Sequence, residues 1–518
     1  LGNVLAQSGN MLGAVEAFEK AHELEPTRPE ILYNLGNANR EADRWGEAEE
    51  CYKKTLKLMP QHVQSRNNLA LVYNHFEKYS EAIAELRKAV EDEPRYCEGW
   101  VNLCSVTEKN GDYEESIKAG EQVRTLEPQN PKGWFGIGVA YSRMEQNAKA
   151  LPYYIEALRL KPDWTSAWDN LGQAYQRENQ LDKAEEAFWQ CVKCAGQIIK
   201  NEDSRFVDES EYGNRYWHLA LLELLKGDYK RGFAHYRSRF RELKGLERQT
   251  WERPLWNGED LEGKTLLIME EQGAGDFLMM MRYVPELKKQ GAKVFLYTAK
   301  HLSPLFEGWD QIDATIIRGG TIPDFDYYCN IFDLPFVFGT TIETIPNDVP
   351  YLPMLMPDEN TALGETEKPK VAVVWAGAPL HKQDARRSIP LTTMLPLFDE
   401  DYVQFYSLNL DKREGDEKIL AKTNIIDLAP RLASFADTAR FMQQMDLIIS
   451  VDTSTAHMAG GLGKESWVLI PLAPDWRWLL DREDTPWYPT MKVVRQAAQN
   501  DWEGVVGRVC GMLKDKFG

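Results

Sequence analysis

Cysteine, positive charge and long apolar runs are all in short supply in this 518-residue chain. The seven cysteines (Cys51, Cys97, Cys104, Cys191, Cys194, Cys329 and Cys510) are odd in number and scattered, which excludes a disulfide framework and suits a reducing cytoplasm. Cys191 and Cys194 form a CxxC without a second pair, and Cys191 fills a small-residue slot of a repeat, so the pair reads as structural rather than metal-binding or redox-active. Lys and Arg number 61 against 80 Asp and Glu, a net charge of −19. Nucleic acid and anionic membrane surfaces would be repelled unless a local basic patch intervened. No apolar run approaches the roughly 18 residues that a membrane-spanning helix needs, so membrane insertion is not expected. No signal peptide is visible, and Leu1 enters in mid-pattern.

What the chain has instead is a repeat. Its length predicts about three domains, and Pro26, Pro60, Pro94, Pro128 and Pro162 recur at a spacing of 34 in the first part, the mark of a helical solenoid. Between the prolines one column holds Trp100, Trp134 and Trp168. Another holds Leu35, Leu69, Leu103, Ile137 and Leu171, and the next Gly36, Ala70, Cys104, Gly138 and Gly172. Ala14, Ala48, Ala82, Ala150 and Ala184 follow, then Phe18, Tyr52, Leu86, Tyr154 and Phe188. Spacings of three and four place these on one stripe of each helix, small where helices touch and large where gaps must be filled. The pattern resembles the tetratricopeptide repeat over residues 1–195, with the first repeat truncated.

A second column holds Asn34, Asn68, Asn102 and Asn170, with Gly136 in the remaining repeat. At about 100° per residue it lies away from the packing stripe, so these side chains are expected to face solvent on the inner wall of the superhelix. Amides there could bond the backbone of an extended acceptor peptide whatever its side chains. Asparagine is equally a common residue at this position in repeats of every function. The ladder resembles that of the nucleocytoplasmic O-GlcNAc transferase, whose repeats hold acceptor polypeptide.

Residues 196–263 are expected to form a polar insertion, a degenerate repeat (Tyr216 to Phe240, keeping Leu219, Ala220, Gly232 and Tyr236 in template columns) that caps the solenoid, and a linker whose tryptophans are buried. From residue 264 short apolar runs alternate with helical stretches, the signature of parallel sheets with crossover helices. Strands are predicted at 265–269, 293–297, 314–317 and 326–330, then at 370–375, 403–407, 447–451 and 467–470, with a Pro-rich hinge from Pro346 to Pro369 between the sets. A closing helix near Trp502 to Lys514 is expected to pack back across the hinge.

Three stretches could carry chemistry. In EQGAGDF, Gly273 and Gly275 allow close approach and Asp276 stands at a helix start, as a cap or as a base. WAGAPLHKQDARRSIPL carries Gly377, Lys382, Arg386 and Arg387 after a strand, where cations suit a diphosphate or merely line a basic surface loop. SVDTSTAHMAGGLG runs from a strand through Asp452, Thr453, Ser454 and Thr455 into a helix start with His457 one turn in, an arrangement able to hold an anion. A DxD at Asp324 and Asp326 lies in the wrong half for donor phosphates, and no metal is expected.

Together with the strings DWRW and WYP, these motifs resemble bacterial proteins that join tetratricopeptide repeats to a GT-B glycosyltransferase, among them the flagellin glycosyltransferases. They are also similar to the lipopolysaccharide heptosyltransferases, with their SLGD turn and DTGxxH segment. The resemblance implies an α-solenoid followed by two Rossmann-like α/β domains, at 264–355 (acceptor side) and 356–518 (donor side, with the hinge). It implies Asp276 as catalytic base and Asp452, Thr453 and His457 as donor ligands. Ser454 and Thr455 replace the usual Gly-Leu pair, which leaves the donor open. The expected function is inverting, metal-independent transfer from a nucleotide sugar to Ser/Thr hydroxyls of a protein acceptor. The rivals are a heptosyltransferase-like enzyme of lipid-linked glycan assembly and a non-catalytic scaffold.

Overall fold

The computed structural model describes residues 1–195, 216–242, 251–379, 381 and 384–518. The chain divides into two compact units, Leu1–Gly196 and Gln197–Gly518. None of the described helices is long and apolar enough to cross a membrane.

The first unit is a run of helical hairpins. Pro29–Glu41 pairs with Trp45–Leu58, Val63–His75 with Tyr79–Asp92, Cys97–Asn110 with Tyr113–Leu126, Pro131–Arg143 with Asn147–Leu160, and Thr165–Arg177 with Leu181–Cys194. Gly2–Gln7 and Met11–Leu24 precede them. The sequence columns have direct physical causes. A Cβ at Gly36 would lie 2.7 Å from the Tyr52 ring and one at Gly138 2.8 Å from the Tyr154 ring, so the small residue of one helix makes room for the aromatic of the next. The indole N–H groups of Trp100, Trp134 and Trp168 donate to the carbonyls of Pro94, Pro128 and Pro162 at 2.9, 3.1 and 2.8 Å, locking the turn between successive repeats. Within each hairpin the chain reverses through left-handed backbone at Asp43, Glu77, Gly111, Glu145 and Asn179, and only at Gly111 does the sequence supply the residue that takes this conformation freely.

The second unit opens with the helices Trp217–Leu225 and Tyr229–Tyr236. Their aromatic face packs inside the second unit: Tyr229 and Phe233 lie against Trp476 and Trp487, and the Trp487 indole donates to the Tyr229 hydroxyl at 2.9 Å. Trp256 of the linker is buried, as expected of it.

Two parallel sheets follow. Strands β1 (Thr265–Met269), β2 (Lys293–Thr298), β3 (Ala314–Ile317) and β4 (Tyr327–Asn330) are ordered β3-β2-β1-β4. Strands β5 (Lys370–Val374), β6 (Gln404–Ser407), β7 (Ile426–Asp427), β8 (Leu447–Val451), β9 (Ser466–Ile470) and β10 (Met491–Arg495) are ordered β10-β9-β8-β5-β6-β7, the doubly wound order. Sequence periodicity missed β7, which has two residues, and β10, whose apolar run follows directly on the aromatic loop at 487–488. Chain direction reverses its progress across the sheet between β1 and β4 and between β5 and β8, leaving a crevice at the carboxyl ends of β1, β5 and β8.

The closing helix Trp502–Phe517 does not cross the hinge. Trp502, Val505, Val506, Val509 and Leu513 join the core of the six-stranded sheet beside Leu391, Met394 and Leu397, because its apolar stripe matches that sheet's own uncovered face.

Candidate active site at the carboxyl ends of two sheets

β1 is a fully parallel, centrally placed strand, so the residues after Met269 must leave the sheet at its switch point. Glu271 turns inward and is buried, and Gln272 takes left-handed backbone (φ 62°) with its side-chain oxygen accepting the Tyr236 hydroxyl at 3.0 Å. Gly273 then starts the helix Ala274–Met280, and its N–H donates to Asp276 Oδ2 at 3.2 Å. Asp276 thus does cap its helix, and one carboxylate oxygen still points away from the cap. The apolar run Leu278 to Met281 is wholly core. Gly275 is required by close approach: a Cβ there would stand 2.9 Å from His457 Cδ2 and 3.0 Å from Ser454 Cα. The first turns of two helices, one from each sheet, therefore touch at this glycine.

The second of these helices, Ser454–Gly461, follows β8. Thr453 precedes it in extended backbone, buried, its hydroxyl 3.3 Å from that of Ser450. Ser454 and Thr455 are half-buried in its first turn, where backbone N–H groups have no partner within the helix and the dipole favours an anion. β5 delivers the third wall. The N–H groups of Trp375 and Ala376 are fixed by Asn409 Oδ1 at 3.0 and 2.8 Å, and that of Gly377 by Ser388 Oγ at 3.1 Å. Arg387 donates to the Asp452 carbonyl at 3.0 Å, and a Cβ on Gly377 would meet its guanidinium at 2.7 Å. Arg386 is half-buried in the same short helix, Asp384–Arg387, and Lys382 lies outside the described residues.

Sequence reading missed part of this cluster. Arg477, its side chain 9% exposed, is ion-paired with both Asp276 and Asp475 and lies 4.5 Å over the Trp476 ring. His457 Nδ1 shares a hydrogen bond with the Tyr488 hydroxyl at 2.9 Å, and its ring stacks on Trp478. DWRW and WYP were visible only as strings, because loop residues that meet by tertiary folding carry no periodicity of their own.

Burial, joined by the charges of Arg477, Arg282 and Arg387, holds His457 well below the ordinary histidine range, so it is neutral and serves as a polar, aromatic wall. Burial first, and then the charge of Asp475, pushes Asp452 up to about 6 from 3.8. An acid raised in this way contributes stability that is complete below the unfolded value and lost as pH rises through the folded one. Asp452→Asn is therefore expected to gain about 3 kcal/mol relative to wild type between about pH 4 and pH 7. Urea unfolding of both proteins across that range checks it; parallel curves would show an ordinary carboxylate.

Two further placements bear on the sequence reading. Asp326 accepts the Thr265 N–H at 2.8 Å and Asp324 pairs with Arg253, which sets the DxD at the amino end of β1, the far side of the sheet from Asp276. In the first unit Asn68 is 8% exposed, not solvent-facing. Its amide donates to Asn37 at 2.8 Å and accepts from Asn67 at 3.3 Å, and Asn102 donates to Asn67 at 2.7 Å. Stacked repeats bring these amides within reach of one another, so they pair internally. Asn34, Asn102 and Asn170 are half-buried.

The first unit is a tetratricopeptide-repeat solenoid: models of that repeat match residues 2–42, 27–92, 131–163 and 165–195. The second is a parallel α/β unit. Across 332 residues the chain is 29% identical to Protein FlbA of Caulobacter vibrioides, covering 57% of this chain and 54% of that protein, so it spans about half the length of that relative. Similar solved structures include MamA (23% identical, TM-score 0.30, covering 31% of this chain and 95% of MamA). YrrB, described as a tetratricopeptide-repeat protein with an unusual peptide-binding site, is 20% identical with TM-score 0.31 over 35% of this chain and 94% of its own. A repeat protein from Parabacteroides merdae is 12% identical with TM-score 0.39 over 47% and 91%.

Proposed function

We propose that the second unit is a GT-B glycosyltransferase, with residues 264–355 on the acceptor side and 356–518 on the donor side. It moves a sugar, with inversion and without a metal, from a nucleotide sugar to Ser/Thr hydroxyls of a flagellin-like protein acceptor. The repeats of residues 1–195 recruit that acceptor, and the reaction belongs to the cytoplasm. The observation that carries this reading is the contact at Gly275, which sets the Asp276 carboxylate beside the anion-favouring start of the Ser454–Gly461 helix.

In the reaction the acceptor oxygen attacks the anomeric carbon and gives its proton to Asp276 Oδ1. The bond between that carbon and the phosphate oxygen breaks, and its electron pair leaves with the nucleotide. The leaving charge falls on the N–H groups and hydroxyls of Ser454 and Thr455, with Arg387 and Arg386 as cations of the same wall and Lys382 as a further donor ligand by sequence. Thr453, Asp452 and His457 shape the donor pocket, and Gly273 and Gly377 let backbone approach the phosphates. Asn34, Asn102 and Asn170 line the acceptor path, and the buried Asn68 is bonded to Asn37 and Asn67.

The test is incubation of the full chain with flagellin and a panel of nucleotide sugars, followed by mass spectrometry. The expected result is a hexose-type mass increment on Ser or Thr with one donor. Sugar appearing on a lipid-linked glycan and never on protein would favour the heptosyltransferase type, and no transfer from any donor would leave a scaffold.

A further inference from the structure

Asp276 carries a handicap for a base. Its Oδ2 accepts the Gly273 N–H and its Oδ1 is ion-paired with Arg477, so both oxygens already have partners. Arg477 is in turn unusually placed. Its two terminal nitrogens are divided between Asp276 and Asp475, while its Nε is buried and unbonded. Its side chain is 9% exposed, its partner Asp276 follows Gly275, which abuts Ser454 and His457, and its neighbour Trp478 stacks on the His457 ring, so the guanidinium lies near the start of the Ser454–Gly461 helix. Guanidinium remains charged at every pH the protein meets, and a diphosphate offers it more charge and a better bidentate match than a carboxylate does. An anion entering at that helix mouth therefore competes with Asp276 for the same cation.

We infer that Arg477 is a shared ligand, held by Asp276 and Asp475 while the cleft is empty and drawn onto the donor's diphosphate when it fills, so that donor binding releases Asp276 to accept the acceptor's proton. This rests on the glycosyltransferase reading above. It gives the site an order of events: donor first, then an active base. It also makes the coupling reciprocal, since whatever frees Arg477 from Asp276 must strengthen anion binding by the same factor.

Inorganic pyrophosphate, titrated calorimetrically into the full chain, reads that coupling without any transfer. Asp276→Asn is expected to tighten pyrophosphate by about 5- to 50-fold. Arg477→Met is expected to weaken it by a similar factor, and in the Arg477→Met background Asp276→Asn is expected to gain nothing. Equal tightening by Asp276→Asn with and without Arg477 would mean plain long-range repulsion and would overturn the sharing, as would no tightening at all. Binding without coupling thus removes this inference alone, whereas no binding by the wild type removes the anion site and the proposed function with it. If Arg477→Met does not fold, Arg477→Lys serves, because lysine keeps the charge but cannot span two carboxylates. The gain from Asp276→Asn must shrink in that background, and an undiminished gain overturns the inference.

Discussion

Asp276→Asn is expected to lower the rate of sugar transfer by about 10²- to 10⁴-fold, the usual worth of a positioned general base. The substitution is nearly isosteric, and the Asp276 side chain is 23% exposed, so the fold has little to lose. The amide oxygen of asparagine can still accept the Gly273 N–H that the carboxylate accepts now, so the helix start stays formed. What disappears is the capacity to take a proton. The loss should therefore fall on kcat, with the donor's apparent affinity kept or improved, because the interaction removed is one made only as the acceptor hydroxyl reacts. Steady-state kinetics over a range of pH separate the cases. A variant that keeps full kcat ends the assignment of Asp276 as base, and one that loses only donor affinity moves the residue to the binding wall.

The parts of this chain that sequence reveals are those built by local repetition. The 34-residue columns carry hairpin after hairpin because each position meets the same neighbour in every repeat, as Gly36 meets Tyr52 and Gly138 meets Tyr154. β1 and β8 begin and end where their runs do, since a strand buried on both faces is largely apolar. The turn residues Gly273, Gly275 and Gly377 were legible for the same local reason. Arg477 was not, because its partners Asp276 and Asp475 meet it through the packing of two sheets and neither spacing nor composition records that. The asparagine column misled in the opposite way. Helical geometry placed it off the packing stripe, but reach across stacked repeats let Asn68 bond Asn37 and Asn67, which a single-helix projection cannot show. The closing helix failed likewise: its amphipathic stripe predicts that it packs, and only the neighbouring helix Leu391–Phe398 decides where.

Arg239→Met is expected to cost the second unit about 3 to 5 kcal/mol, the loss typical when one partner of a buried ion pair is removed. Arg239 is fully buried and bonds Glu271 through two nitrogens at 2.9 and 2.7 Å and Asp333 at 2.8 Å. Glu271 and Asp333 are 3% and 1% exposed, so without the guanidinium two carboxylates face each other away from water. Burial already raises the Glu271 pKa, and the charge of Asp333 adds to that effect, so the variant is expected to protonate one of them as it folds. A thermal midpoint lower by about 10 °C is the corresponding shift for a unit of this size. The loss also reaches the chemistry. Glu271 Oε1 accepts the Phe332 N–H at 3.0 Å, and Tyr236, one turn before Arg239, holds Gln272, so the helical segment before the linker fixes the two residues that lead into the turn presenting Asp276. Neutralising the whole set in Arg239→Met, Glu271→Gln, Asp333→Asn is expected to recover most of the stability, since the penalty comes from unpaired charge and not from lost volume. A single variant as stable as wild type would show that the two acids are neutral or hydrated. The turn would then be held by Tyr236 and the packing of Trp476 and Phe332 around it.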